Sequence, residues 1–96
     1  MNRDEILSRL RADVDELRAM GIASLDLFGS SARDERTGAS DVDLLVEFAQ
    51  PVGIFYFARV RRRLSEILGC KVDLVTRDAV RPEMRERIFQ EAIHAA

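Results

Sequence analysis

The stretch Phe28–Phe48, FGSSARDERTGASDVDLLVEF, decides how this chain is read. It opens with Gly29-Ser30-Ser31 directly after the run IASLDLF, and it closes with Asp41 and Asp43 at the head of the run DVDLLVEF, which reads as a second strand. That second run is almost continuously apolar, the pattern of a strand buried on both faces. Its two acids are alternate residues, so on a strand they share a face, with Cα atoms roughly 7 Å apart. Two carboxylates side by side repel, and burying either is costly unless a cation compensates. A hard divalent ion does this best, because Mg²⁺ takes carboxylate oxygens and keeps positions for phosphate oxygens. Upstream, Gly29 lets backbone N–H groups approach an anion closely. A single helical turn within SSARD, capped by Ser30 or Ser31, would aim its positive end at phosphate. Ser30 Oγ adds a donor, and Arg33 adds a charge one turn on.

Further along, KVDLVT repeats the Val-Asp-Leu pattern and predicts a strand over Val72–Thr76. If the two strands are neighbours, Asp73 faces the same site as Asp41 and Asp43. Three carboxylates on adjacent strands suit a two-metal centre for phosphoryl transfer.

The rest of the chain supplies helices to pack on these strands. Ile6, Leu10, Val14 and Leu17 recur at helical spacing, which predicts a helix over Asn2–Met20 with Asn2 as cap and Gly21 as stop. Ile22–Phe28 reads as a strand with Asp26 facing outward. Phe57, Val60, Leu64 and Ile67 predict a helix over Val52–Leu68, ended by Gly69. Pro82 suits the first turn of a last helix, whose stripe is Met84, Ile88, Ala92 and Ile93. Glu83–Arg87 and Arg87–Glu91 are spaced to pair on its wet side. The order αβ(α)βαβα predicts an α/β fold in one domain over residues 1–96, with helices packed on a small mixed three-stranded sheet.

Composition narrows the partners. The chain has 96 residues, 47% hydrophobic and 33% charged, with net charge −2. That balance argues against a generic nucleic-acid binder but leaves room for a small anionic ligand held by local groups. No apolar run approaches the roughly 20 residues of a membrane helix. The acidic residues of MNRDEILSRL do not fit a signal peptide. The one cysteine, Cys70, excludes an intrachain disulfide, packs as a small apolar group and fits a reducing cytoplasm. Arg59, Arg61, Arg62 and Arg63 form either a solvated helix face or a contact with an acidic partner or RNA. Phe55 and Tyr56 either cover the core edge or face a partner. Arg77 and Arg81 either neutralise pyrophosphate or lie on the surface, and His94 is expected to be exposed and without a role.

The arrangement Gly29-Ser30, ten residues, then Asp41-x-Asp43 resembles the signature of DNA polymerase β-type nucleotidyltransferases. In detail it is similar to the minimal nucleotidyltransferase (MNT) antitoxins that pair with HEPN-domain RNase toxins. The resemblance covers nearly the whole chain, including KVDLVT and the closing RPEMRERIFQEAI. It implies a polymerase β-like palm and a Mg²⁺-dependent enzyme that moves AMP from ATP onto a tyrosine of the toxin and silences it. It also implies that Gly29 and Ser30 hold the triphosphate, that Asp41 and Asp43 hold metal, and that Asp73 assists the attacking hydroxyl. The loop departs from the family pattern at Ser31, often Arg, and at Asp34, often Gly, which makes it less basic. A chain this short leaves no residues for a second domain, so the acceptor surface is expected from a partner or a second copy. The competing reading is an antitoxin that neutralises by forming a stable complex, without catalysis.

Overall fold

The computed structural model describes residues 1–35 and 41–96, and the polar loop expected around Gly38 lies outside them. The N-terminal apolar repeat folds as α1 (Arg3–Ala12) and α2 (Val14–Ala19). Asn2 Oδ1 caps α1 by accepting from Glu5 N at 2.9 Å, which satisfies a donor that has no partner within the helix. The single helix expected over Asn2–Met20 is therefore two. The chain bends at Asp13 (φ −106°, ψ 21°), a residue type whose side chain competes with helical backbone bonds and favours caps. The apolar stripe survives the bend, with Ile6, Leu10 and Leu17 fully buried.

Three strands form where the sequence places them: β1 (Ile22–Phe28), β2 (Val42–Phe48) and β3 (Val72–Thr76). β1 and β2 are antiparallel, whereas β2 and β3 are parallel. After β1 the chain makes the short helix α3 (Gly29–Ala32). Parallel neighbours need a crossover, and α4 (Ile54–Leu68) supplies it between β2 and β3. It starts two residues later than expected, after Gly53, and ends at Gly69 in the left-handed conformation (φ +69°). α4 buries Val60, Leu64 and Leu68, one every fourth residue. These meet Leu25 and Leu27 of β1, Leu44 and Val46 of β2, and Leu74 of β3 in one core. Each fully buried leucine contributes about 2 kcal/mol.

The C-terminus changes the strand count. A 3₁₀ turn (Arg77–Ala79) leads to α5 (Pro82–Glu91), which opens on Pro82 as expected. Ala92 is extended, and Ile93–His94 then form β4 on the free edge of β1. The sheet has four strands, in the order β3-β2-β1-β4, not three. Ile93, expected on the helical stripe, is thus a strand residue. Pairing explains this: Ala95 N donates to Leu25 O at 2.8 Å and Leu25 N to Ala96 O at 2.9 Å, so groups on an otherwise open edge find partners.

Asp26 does not face water as expected. It is only 7% exposed, on the sheet face opposite Leu25 and Leu27. Arg77 Nη2 donates to its Oδ2 at 2.9 Å, and His94 Nδ1 lies 3.1 Å from its Oδ1. Those partners make the burial tolerable. His94 keeps its side chain 66% exposed, yet it ties β4 to β1 and so has a structural role.

Candidate functional site

Strand register builds the site. Parallel pairing sets Asp43 of β2 directly beside Asp73 of β3. Antiparallel pairing sets Phe28, the last residue of β1, beside Asp43 on its other flank. Gly29 follows with φ +69°, and the chain turns there into α3. A Cβ at Gly29 would run into Asp43 Oδ2 and lie 3.2 Å from its Cγ. Only glycine meets both conditions, the left-handed backbone and the close approach. Asp41 stands one residue before β2 and is half-buried.

The electrostatics centre on Asp43. Its pKa is pushed up to about 6, first by burial, then by the charges of Asp73 and Asp41 and a hydrogen bond shared with Asp73. The positive charge of Arg33 offsets part of this. The three acids therefore sense one another across the strand ends. They are not drawn into a tight ligand cluster, since among the described residues no three His, Cys, Asp or Glu side chains converge on one point. Net repulsion among hard oxygen donors is what a divalent cation relieves, so the donor chemistry fits Mg²⁺.

The phosphate side is less regular than expected. No serine caps α3; the capping position falls on Phe28 because the helix starts directly at Gly29. Ser31 is buried and its Oγ has no partner among the described residues. Ser30 is half-buried, and its carbonyl accepts from Glu35 N at 2.8 Å. Asp34 takes φ +60°, a region that glycine, common at this place in the resembled family, enters without strain. Arg33 lies beside Asp43 electrostatically, but its guanidinium is held elsewhere, by Glu91 at 2.9 Å and Glu35 at 3.2 Å.

Glu91 was missed in reading the sequence for function. Its spacing from Arg87 marks a helix-surface pair, found at 3.4 Å, but nothing local announces a partner 58 residues away. Arg77, a candidate for pyrophosphate, lies at the other end of the sheet from Asp73 and is engaged by Asp26 and Glu47. Its guanidinium also lies 5.2 Å from the Phe89 ring centroid. A cavity of about 500 Å³ opens at that same far end, lined by Ala49–Val52 among others. Its lining includes none of Asp41, Asp43 and Asp73.

Comparison with known proteins bears on the family and the fold. Residues 7–94 match the nucleotidyltransferase domain family. A Methanocaldococcus jannaschii protein named as a candidate protein adenylyltransferase is 34% identical over 93 residues, covering 97% of each chain. The protein adenylyltransferase MntA of Thermococcus cleftensis is 33% identical over 92 residues, 95% of this chain and 93% of MntA. The structure of a candidate minimal nucleotidyltransferase superposes with a TM-score of 0.83 at 33% identity, over 97% of this chain and 95% of the other. In fold alone, a chain from the complex of a tri-AMPylated Shewanella oneidensis HEPN toxin with its MNT antitoxin matches at 17% identity. Its TM-score is 0.68, over 95% of this chain and 71% of that one.

Proposed function

This chain belongs to the nucleotidyltransferase domain family, and we propose that it is an antitoxin enzyme. In this reading it moves AMP from ATP to a hydroxyl, a tyrosine, of a HEPN RNase toxin in the cytoplasm and so inactivates the toxin. Support comes from the relatives named as protein adenylyltransferases and from the toxin–antitoxin complex of like fold. The single observation that carries it is the register of Asp43 against Asp73 with Gly29 pressed on the Asp43 carboxylate.

Asp41, Asp43 and Asp73 would hold Mg²⁺, which, when bound, supplies positive charge for the carboxylates and for phosphate oxygens. Gly29 and Ser30 seat the triphosphate through the backbone, and Arg33 adds charge once it leaves Glu91. Asp73, the exposed member of the three, takes the proton of the incoming hydroxyl. The hydroxyl oxygen bonds to the α-phosphorus, the bond to the bridging oxygen breaks, and pyrophosphate leaves. Positioning and charge neutralisation carry the rate, with no covalent intermediate on the protein. The toxin brings the acceptor hydroxyl to the strand ends.

The test is the mass of the toxin after incubation with this chain, ATP and Mg²⁺. One or more added adenylates are expected, and none with Asp41→Ala plus Asp43→Ala. Toxin neutralised without any gain in mass would replace this reading with the purely binding antitoxin.

A further inference from the structure

A second surface stands apart from the carboxylates. α2 and α4 flank a groove of about 390 Å³ with Met20 and Val60 among its lining and Arg59 and Arg62 along its side. Its walls are fixed. Arg63 of α4 grips Glu16 of α2 through two hydrogen bonds, one of 2.8 Å. Tyr56 Oη donates to Met20 O at 2.7 Å, closing one end. Glu66 lies at the rim. Arg63 is thus engaged, whereas Arg59 and Arg62 are exposed and make no ion pair among the described residues.

Charge and apolar exposure coincide here. α4 carries four arginines against one glutamate, in a chain whose net charge is −2. Phe55, 90% exposed, lies one helical turn before Arg59 and two before Arg62, on the same stripe. Ile54 beside it is 77% exposed. Adjacent large apolar residues left in water mark a contact surface. Two free arginines are few for a phosphate backbone, and the net charge opposes RNA. Arginine beside accessible apolar side chains suits an acidic, amphipathic protein segment, with carboxylates on the guanidinium groups and apolar side chains on Met20 and Phe55.

We propose that the α2–α4 groove, with Arg59, Arg62 and Phe55, is the docking surface for an acidic amphipathic segment of the partner protein. This rests on the reading that the partner is the HEPN toxin. The groove's lining includes none of Asp41, Asp43 and Asp73. A toxin anchored here leaves those carboxylates free for its acceptor hydroxyl. Docking and transfer are therefore separable.

The experiment titrates purified HEPN toxin, in nucleotide-free buffer, against the wild-type chain, Arg59→Glu/Arg62→Glu, Arg59→Gln/Arg62→Gln and Phe55→Ser. Expected are losses in affinity of roughly 100-fold for the charge reversal and about tenfold for each of the other two, and a steep fall of wild-type affinity with salt. Melting temperatures of the glutamine variant should stay at the wild-type value, because neither arginine is paired. Toxin affinity unchanged in all three variants would overturn the groove while leaving adenylate transfer standing. Loss of affinity for a labelled single-stranded RNA, with toxin binding intact, would overturn it too. If the toxin binds as described but gains no adenylate, the groove stands and the catalytic reading falls. If the wild-type chain does not bind the toxin at all, both fall.

Discussion

Replacing Asp43 by asparagine should stabilise the metal-free protein at neutral pH. The folded chain holds the Asp43 carboxyl at a pKa of about 6 against an ordinary value of 3.8. That difference corresponds to about 3 kcal/mol at full weight. Asp43 is half-buried, so solvent screening reduces this to about 1–1.5 kcal/mol. The sign follows from proton binding. In the unfolded chain Asp43 loses its proton near its ordinary value, and in the folded chain only near the raised one. Between those values the folded state binds more protons, so the contribution of Asp43 falls as pH rises through this window and stays low above it. An asparagine side chain in its place carries no charge and lacks this loss.

The measurement is thermal melting of both proteins in chelating buffer from about pH 4 to about pH 8. The variant should gain little at the acid end, progressively more up to about pH 6, and then a constant increment of about 4–10 °C in Tm. Glu16, whose pKa is lowered by its hydrogen bond to Arg63, loses its contribution on the acid side in both proteins and cancels in the difference. Mg²⁺ added at slightly alkaline pH should raise the Tm of the wild type and leave Asp43→Asn nearly unmoved. A difference curve that is flat in pH, or that falls with pH, would refute the account of Asp43 as a carboxylate strained by its neighbours.

Other outcomes follow from the same geometry. Gly29→Ala should destabilise by about 1–3 kcal/mol through backbone strain and the clash with Asp43, read by urea denaturation, and should weaken nucleotide binding in titration. Glu91→Gln should tighten binding of a non-hydrolysable ATP analogue a few-fold, because Arg33 is freed from its 2.9 Å pair; unchanged affinity would mean that Arg33 does not meet the triphosphate. Asp26→Ala should cost about 1 kcal/mol by removing the carboxylate shared by the partly exposed Arg77 and His94, with faster amide exchange at Ala95 and Ala96 as the local signature.

The parts of the fold that were legible in the sequence are those governed by local pattern. β3 matches its expected bounds, Pro82 opens α5, and Asn2 caps α1, because strand alternation, helical period and cap chemistry act within a few residues. The carboxylates were legible for the same reason: Asp41-x-Asp43 and the repeated Val-Asp-Leu mark two strands, and register does the rest. What escaped is non-local. β4 has only two residues and exists because the β1 edge is open beside it. Asp26 reads as an outward strand residue until Arg77 and His94 arrive from positions 51 and 68 residues away. The bend at Asp13 was legible in principle, since an aspartate in a helix interior is a poor fit. The expected serine caps of α3 failed because Gly29 enters the helix directly from the strand.

The two ends of the sheet carry different physical burdens. At the carboxylate end, geometry comes from backbone register, and Asp43 is half-buried beside two further acids whose charges raise its pKa. The cavity beside Ala49–Val52 and the groove between α2 and α4 include none of Asp41, Asp43 and Asp73 in their linings. The described residues bury one core and fix the charged groups in place by strand register, and in the proposed reading the acceptor comes from the partner. Arg33 fits that division. Without nucleotide it is neutralised by Glu35 and Glu91, which keeps a bare cation from standing beside an open surface. An incoming triphosphate offers it a stronger partner. In the proposed reading the cluster of acids, the paired arginine and the groove become successive demands on one protein partner: anchor at α2–α4, cover the strand ends, and present a hydroxyl where Asp43 and Asp73 meet.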